Sequence, residues 1–83
     1  MIKASLTIFN KKNPIISGYR PLFYINEMFY SGVITFDGVI CPLETRSVNI
    51  EFVTFDGELN NGDVIKLFES PKHEIGEVVI CKD

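Results

Sequence analysis

Alanine is nearly missing from this sequence: Ala4 is the only one among 83 residues. Alanine is the strongest helix former, and a chain almost without it makes a poor helical bundle. No stretch reads as a convincing helix. No apolar run approaches the roughly 20 residues that a bilayer-spanning helix needs, which argues against that kind of membrane protein. No secretory leader is readable, because Met1-Ile2-Lys3-Ala4 runs straight into alternating polar and apolar residues, and a cytoplasmic location is the expectation. Histidine occurs once, as His73, and no Cys-x-x-Cys spacing exists, so no metal site is expected. There is no Gly-x-Ser-x-Gly nucleophile elbow and no Gly-x-x-x-x-Gly-Lys-Ser/Thr phosphate loop. Neither catalytic residues nor a nucleotide or other cofactor are therefore expected. Asn10-Lys11-Lys12-Asn13 lacks the aspartate that a guanine-reading Asn-Lys-x-Asp would need. Asp56, Asp63 and Asn60-Asn61-Gly62 lack the acidic alternation and terminal glutamate of a calcium loop. Positive charge is also short: 8 Lys and Arg face 11 Asp and Glu, a net charge of -3. A generally basic nucleic-acid binder is disfavoured, although a local basic patch is compatible with that balance.

What is present points to β structure. Isoleucine is the commonest residue, with valine and phenylalanine close behind, and such side chains fit pleated surfaces. Ile2, Ala4, Leu6 and Ile8 alternate with Lys3, Ser5 and Thr7, the pattern of a half-buried strand. Asn10 to Pro14 reads as a loop, and Gly18-Tyr19-Arg20-Pro21 as a kink before a strand from Leu22 to Ile25. Pro21 has no N–H to donate, so that strand starts there or lies on an edge. Phe29 to Phe36 is the next expected strand, with Gly32 at a bulge or a close approach. Asp37-Gly38 is a turn signal from which Val39-Ile40-Cys41 returns, and Leu43 to Arg46 is a connection. Val48, Ile50 and Phe52 alternate with Asn49 and Glu51. Val64 to Glu69 and Glu74 to Lys82 are the last two strands, joined by a tight turn at Ser70-Pro71-Lys72-His73. Short strands with turns at this spacing predict a small barrel or sandwich. Cys41 and Cys81 both follow apolar runs and are expected to be buried, reduced thiols.

The most distinctive segment is Ile15-Ile16-Ser17-Gly18-Tyr19-Arg20-Pro21-Leu22-Phe23-Tyr24-Ile25. It resembles the C-terminal β-barrel domain, the third, of elongation factor Tu, where the corresponding stretch reads Gly-Tyr-Arg-Pro-Gln-Phe-Tyr. Gly18, Tyr19, Arg20, Pro21, Phe23 and Tyr24 match, and Leu22 replaces the glutamine. Further similarities follow in order along the chain. Ser31-Gly32-Val33-Ile34 stands for Thr-Gly-Thr-Ile, and Val48-Asn49-Ile50-Glu51-Phe52 for Asp-Asn-Ile-Lys-Met. Asn61-Gly62 through Phe68-Glu69 resembles Asp-Asp-Gly-Leu-Arg-Phe-Ala-Ile-Arg-Glu, and Ile75-Gly76 before Val78-Val79 resembles Val-Gly-Ala-Gly-Val-Val. The resemblance implies an all-β fold for residues 1–83: a small, six-stranded, closed, Greek-key-like barrel.

The resemblance also sets expectations for function. Gly18, Tyr19, Pro21, Phe23, Tyr24, Gly32 and Gly76 form a structural signature, with the aromatics in the core and at corners. Arg20 is expected to brace a strand end, through backbone carbonyls or Glu27, or to touch a partner. The family's GTP-binding domain and middle barrel have no counterpart here, so no GTPase activity is expected. Its Arg-His pair before the signature, which helps hold the tRNA T-stem, is replaced by Lys11, Lys12 and Asn13, with Pro14 alone surviving. Its last basic turn becomes Ser70-Pro71-Lys72-His73. The expectation is a stand-alone, non-catalytic module acting through protein–protein contacts, in translation or as an immunity or antitoxin-type protein. The alternative is tRNA or RNA binding on the T-stem side through Lys11, Lys12, Arg20, Lys72 and His73.

Overall fold

The computed structural model describes residues 1–82; residue 83 lies outside the described residues. The chain forms strands β1 (Ile2–Ile8), β2 (Ile15–Ile16), β3 (Leu22–Ile25), β4 (Met28–Thr35), β5 (Val39–Ile40), β6 (Thr45–Phe52), β7 (Val64–Ser70) and β8 (His73–Ile80). Six of them close into an antiparallel barrel in the order β1-β6-β4-β3-β7-β8, and β2 and β5 pair separately. Strands β3, β4 and β6 follow one another as neighbours, while β1 reaches β3 by a long connection and lies beside β6, which is a Greek key. The described residues contain no helix long and apolar enough to cross a membrane. The all-β, six-stranded closed barrel expected from the sequence is therefore the observed fold.

Alternation fills the barrel. Leu6, Phe23, Ile34, Ile50, Leu67 and Val78 project inward and are fully buried, while no polar or charged residue of the described chain is buried. Each such aliphatic or aromatic side chain contributes roughly 1.5–3 kcal/mol by leaving water. Pro21 is buried just ahead of β3, which starts at Leu22 and lies within the closed sheet rather than at an edge. Gly32 marks a close approach: a Cβ there would sit 2.9 Å from Phe23 Cε1 and 3.1 Å from the Glu51 carbonyl oxygen. The register shifts that a bulge produces lie instead in β7, around Phe68. Phe52 meets Phe23 edge-on at 4.9 Å, and Phe55 and Tyr30 continue this aromatic group.

Four expectations need correction. Val39-Ile40 does not pair with β4, because β3 and β6 already occupy both edges of that strand; it pairs with Ile15-Ile16 instead. Thr45 and Arg46 belong to β6, where they face Thr7 and Leu6, rather than to the preceding connection. Tyr24 is not a core residue: it faces Phe29 across the β3–β4 pair, and its ring packs with those of Phe29 and Phe68 on the barrel's outer wall. Cys41 and Cys81 are exposed free thiols. Both follow an inward isoleucine, Ile40 and Ile80, so the period of two turns each cysteine toward solvent. Both thiols should consequently react with a small maleimide in the folded protein at rates close to those in denaturant. Protection of either one would contradict their exposure.

Candidate functional site

One end of the barrel gathers the cationic loops. It is formed by the C-terminal end of β1, the start of β3, the turn between β7 and β8, and the β2–β5 pair. The loop after β1 is moored on β8. The backbone N–H groups of Phe9 and Asn10 both donate to the Ile75 carbonyl, at 2.9 and 3.2 Å, and Asn10 Nδ2 donates to the Glu74 carbonyl at 3.0 Å. This brings Lys11 and Lys12 opposite His73, around an open concavity of about 580 Å³ that Phe9 and Asn13 also line.

The sequence leads one to expect only cations and a histidine here. The structure places Glu69 among them. Lys11 Nζ lies 2.7 Å from Glu69 Oε2, the Tyr19 hydroxyl donates to the same oxygen at 3.2 Å, and His73 Nδ1 lies 3.7 Å from Oε1. Lys11 Nζ also sits 5.8 Å from the centre of the Tyr19 ring. The hydrogen bond from Lys11 holds the Glu69 carboxyl below the usual carboxylate range, with the charge of Lys11, the Tyr19 hydroxyl and His73 adding to it against the opposing effect of burial. Burial pushes the Tyr19 phenol up, and the negative charge of Glu69 and its hydrogen bond push it further. Tyr19 thus remains a neutral donor at physiological pH.

Linkage gives the pair a pH signature. A carboxyl held low in the folded state adds stability above its ordinary value of 4.5, and that stability is lost as pH falls through the lower folded value. The side chains of Lys11 and Glu69 are 23% and 34% exposed, so solvent screens the pair and its worth is less than about 1 kcal/mol. Glu69→Gln should accordingly be slightly less stable than the parent at pH 7, and the difference should close in denaturant titrations below about pH 4. A gap that stays constant from pH 7 to pH 3 would show that the charge of Glu69 is not what stabilises this corner.

The remaining expected site residues are distributed around that centre. His73 is the first residue of β8, paired with Ser70, so the turn proper is Pro71-Lys72. Lys12 and Lys72 are exposed and make no ion pair among the described residues. Arg20 is exposed as well and makes no hydrogen bond or ion pair among them; the bracing contact with Glu27 expected of it is not formed. The bracing arginine is Arg46, whose guanidinium donates to the Asp37 and Val39 carbonyls at 2.6 and 3.1 Å and fastens the β5 turn. Gly18, at φ +91°, donates its N–H to the Ile34 carbonyl, and the Tyr19 carbonyl accepts from Ile34 N–H, which anchors the signature loop on β4. Gly76 lies where β8 passes β1 in close contact.

Fold and site together define a small closed antiparallel β-barrel with a mixed-charge loop cluster at one end. No protein-family model matches the chain, and no curated protein matches it in sequence.

Proposed function

We propose that this barrel is a non-catalytic binding module that works through protein–protein contacts. In this reading it is similar to the third domain of elongation factor Tu and serves either in translation or as an immunity or antitoxin-type protein. The position of Glu69 carries the reading. On the side that would meet a phosphate backbone, the carboxylate takes up the charge of Lys11 at 2.7 Å and stands 3.7 Å from His73. Of the expected cations, Lys12, Lys72 and Arg20 remain free of an ion pair among the described residues. Three cations facing phosphates give a salt slope of at most about -3, too shallow for tight binding at physiological salt. Apolar side chains are exposed at the same end, Ile16 and Val39 facing one another across the β2–β5 pair, and such surface suits a protein partner better than RNA.

Two measurements test the reading. In an anisotropy titration with aminoacylated and bare tRNA, binding should be no tighter than the non-specific range of about 10⁻⁴–10⁻⁶ M. In a capture from native lysate, a stoichiometric protein complex should survive nuclease and moderate salt. Nanomolar tRNA affinity, lost in a Lys11→Ala/Lys12→Ala/Lys72→Ala variant, would replace this proposal with RNA binding on the T-stem side.

A further inference from the structure

Beside the Glu69 cluster lies a second concavity, of about 490 Å³, lined by Lys11 and residues 14–20. Its lining carries two cations, Lys11 and Arg20, and no carboxylate, on a chain whose net charge is -3. Lys11 is already held by Glu69, so Arg20 is its uncommitted cation. The other conspicuous group is Ile16, 69% exposed although its strand neighbour Ile15 is buried. Strand β2 pairs with β5 alone, so its other edge has no strand partner among the described residues. The groove wall is held from behind. Ile15 is packed into the core, Gly18 and Tyr19 are bonded to Ile34, and Ser17 Oγ accepts from Phe36 N–H at 3.0 Å. A wall fixed before binding spares a ligand the cost of ordering it.

We infer that this groove is the docking site for an extended acidic segment of a protein partner. The inference rests on the protein-binding reading above and specifies the chemistry of the partner. The segment lies along the free edge of β2, where main-chain hydrogen bonds supply affinity and alternate side chains supply specificity. An apolar side chain of the segment covers Ile16, and a neighbouring carboxylate meets the Arg20 guanidinium, whose planar fork suits bidentate pairing. A nucleic acid fits this groove poorly: its phosphates would find one free guanidinium and an exposed isoleucine.

The probe is a fluorescein-labelled peptide of alternating glutamate and valine, titrated by anisotropy against the full chain at low and at near-physiological salt. Peptides of alternating glutamine and valine, and of alternating lysine and valine, serve as comparators, together with an oligouridylate. The glutamate peptide should saturate, bind at least about fivefold tighter than the glutamine one, and weaken with salt. Arg20→Ala and Ile16→Ser, both at exposed positions, should each lower its affinity about fivefold to tenfold. Lys66→Ala, on the barrel wall, should leave it unchanged. Absence of saturable binding, equal binding of the glutamine peptide, tighter binding of the oligouridylate, or insensitivity to Arg20→Ala and Ile16→Ser would each overturn the inference. The two proposals fail separately. A nuclease-resistant protein complex that Arg20→Ala and Ile16→Ser leave intact removes the groove and keeps the protein-binding reading, whereas a nuclease-sensitive capture removes that reading itself.

Discussion

Gly76→Ala is expected to destabilise the barrel by about 3 kcal/mol, lowering its melting temperature by roughly 12–24 °C. Gly76 is buried in β8, opposite Ile8 on one side and Leu67 on the other. A methyl group there would overlap the Thr7 carbonyl oxygen and come within 3.1 Å of Ile8 Cα. Backbone atoms cannot step aside by changing rotamer, so relief requires β1 and β8 to separate. They are held together just there, since Phe9 and Asn10 donate to the Ile75 carbonyl. The control is Gly62→Ala. Gly62 has φ +90° and nothing within 4 Å of its would-be Cβ, so only the left-handed backbone opposes a side chain, at about 1–2 kcal/mol. Melting curves followed by circular dichroism should rank Gly76→Ala well below Gly62→Ala. A Gly76→Ala protein that melts within a few degrees of the parent would mean that the β1–β8 contact is looser than the structure shows.

Strands β1 and β6 announce themselves in the sequence because one face of each is wet and the other dry, and the resulting period of two is visible residue by residue; β3, β4, β7 and β8 are legible as short apolar runs bounded by turn residues. The β2–β5 pair is not, since two residues are too few to show a period. The turn chemistry misled in one place. Asp37-Gly38 has the composition of a hairpin turn, yet β4 has no free edge for β5. The tight hairpin is Asn26-Glu27, with φ of +50° and +67°, where a glutamate holds a conformation usually given to glycine. Closure of the β3–β4 pair from Leu22–Ser31 to Ile25–Met28 imposes that geometry; Asn26 suits it, whereas nothing in the identity of Glu27 signals it.

For the candidate site, the loops were legible and their electrostatics were not. Lys11, Lys12, Lys72 and His73 could be assigned to two loops of one barrel end by the resemblance alone. That Glu69 joins them depends on contacts across long stretches of chain, Lys11 to Glu69 and Tyr19 to Glu69, which the barrel closure creates. The one local hint was the spacing of Glu69 and His73 across the Pro71-Lys72 turn, which places a carboxylate near the histidine at the base of the hairpin. The cysteines teach the converse lesson. Their apolar neighbours suggested burial, whereas the alternation of Ile40 with Cys41 and of Ile80 with Cys81 points each thiol outward.

Phe23→Ala should be the most damaging single substitution at a signature position, costing about 3–5 kcal/mol. For a domain of this length the whole stability is of order 4–12 kcal/mol, so the variant is expected to be partly unfolded at 37 °C. Phe23 is completely buried, its ring lies over Gly32, and it meets Phe52 edge-on at 4.9 Å. Through Phe52 it supports Phe55, 5.2 Å further on, and through Phe55 the ring of Tyr30. Truncation would leave a void that the stiff barrel wall cannot close. A gentler cycle isolates the contact. Gly32→Ala alone should cost about 1–3 kcal/mol, because its methyl group would meet Phe23 Cε1 at 2.9 Å. In a Phe23→Leu background that ring atom is gone and only the Glu51 carbonyl and Phe52 Cα remain close, at 3.1 and 3.3 Å. Gly32→Ala should therefore be less destabilising there, giving a coupling of about 0.5–3 kcal/mol in denaturant melts. Strict additivity would show that Phe23 and Gly32 are independent, contrary to a ring seated on a glycine.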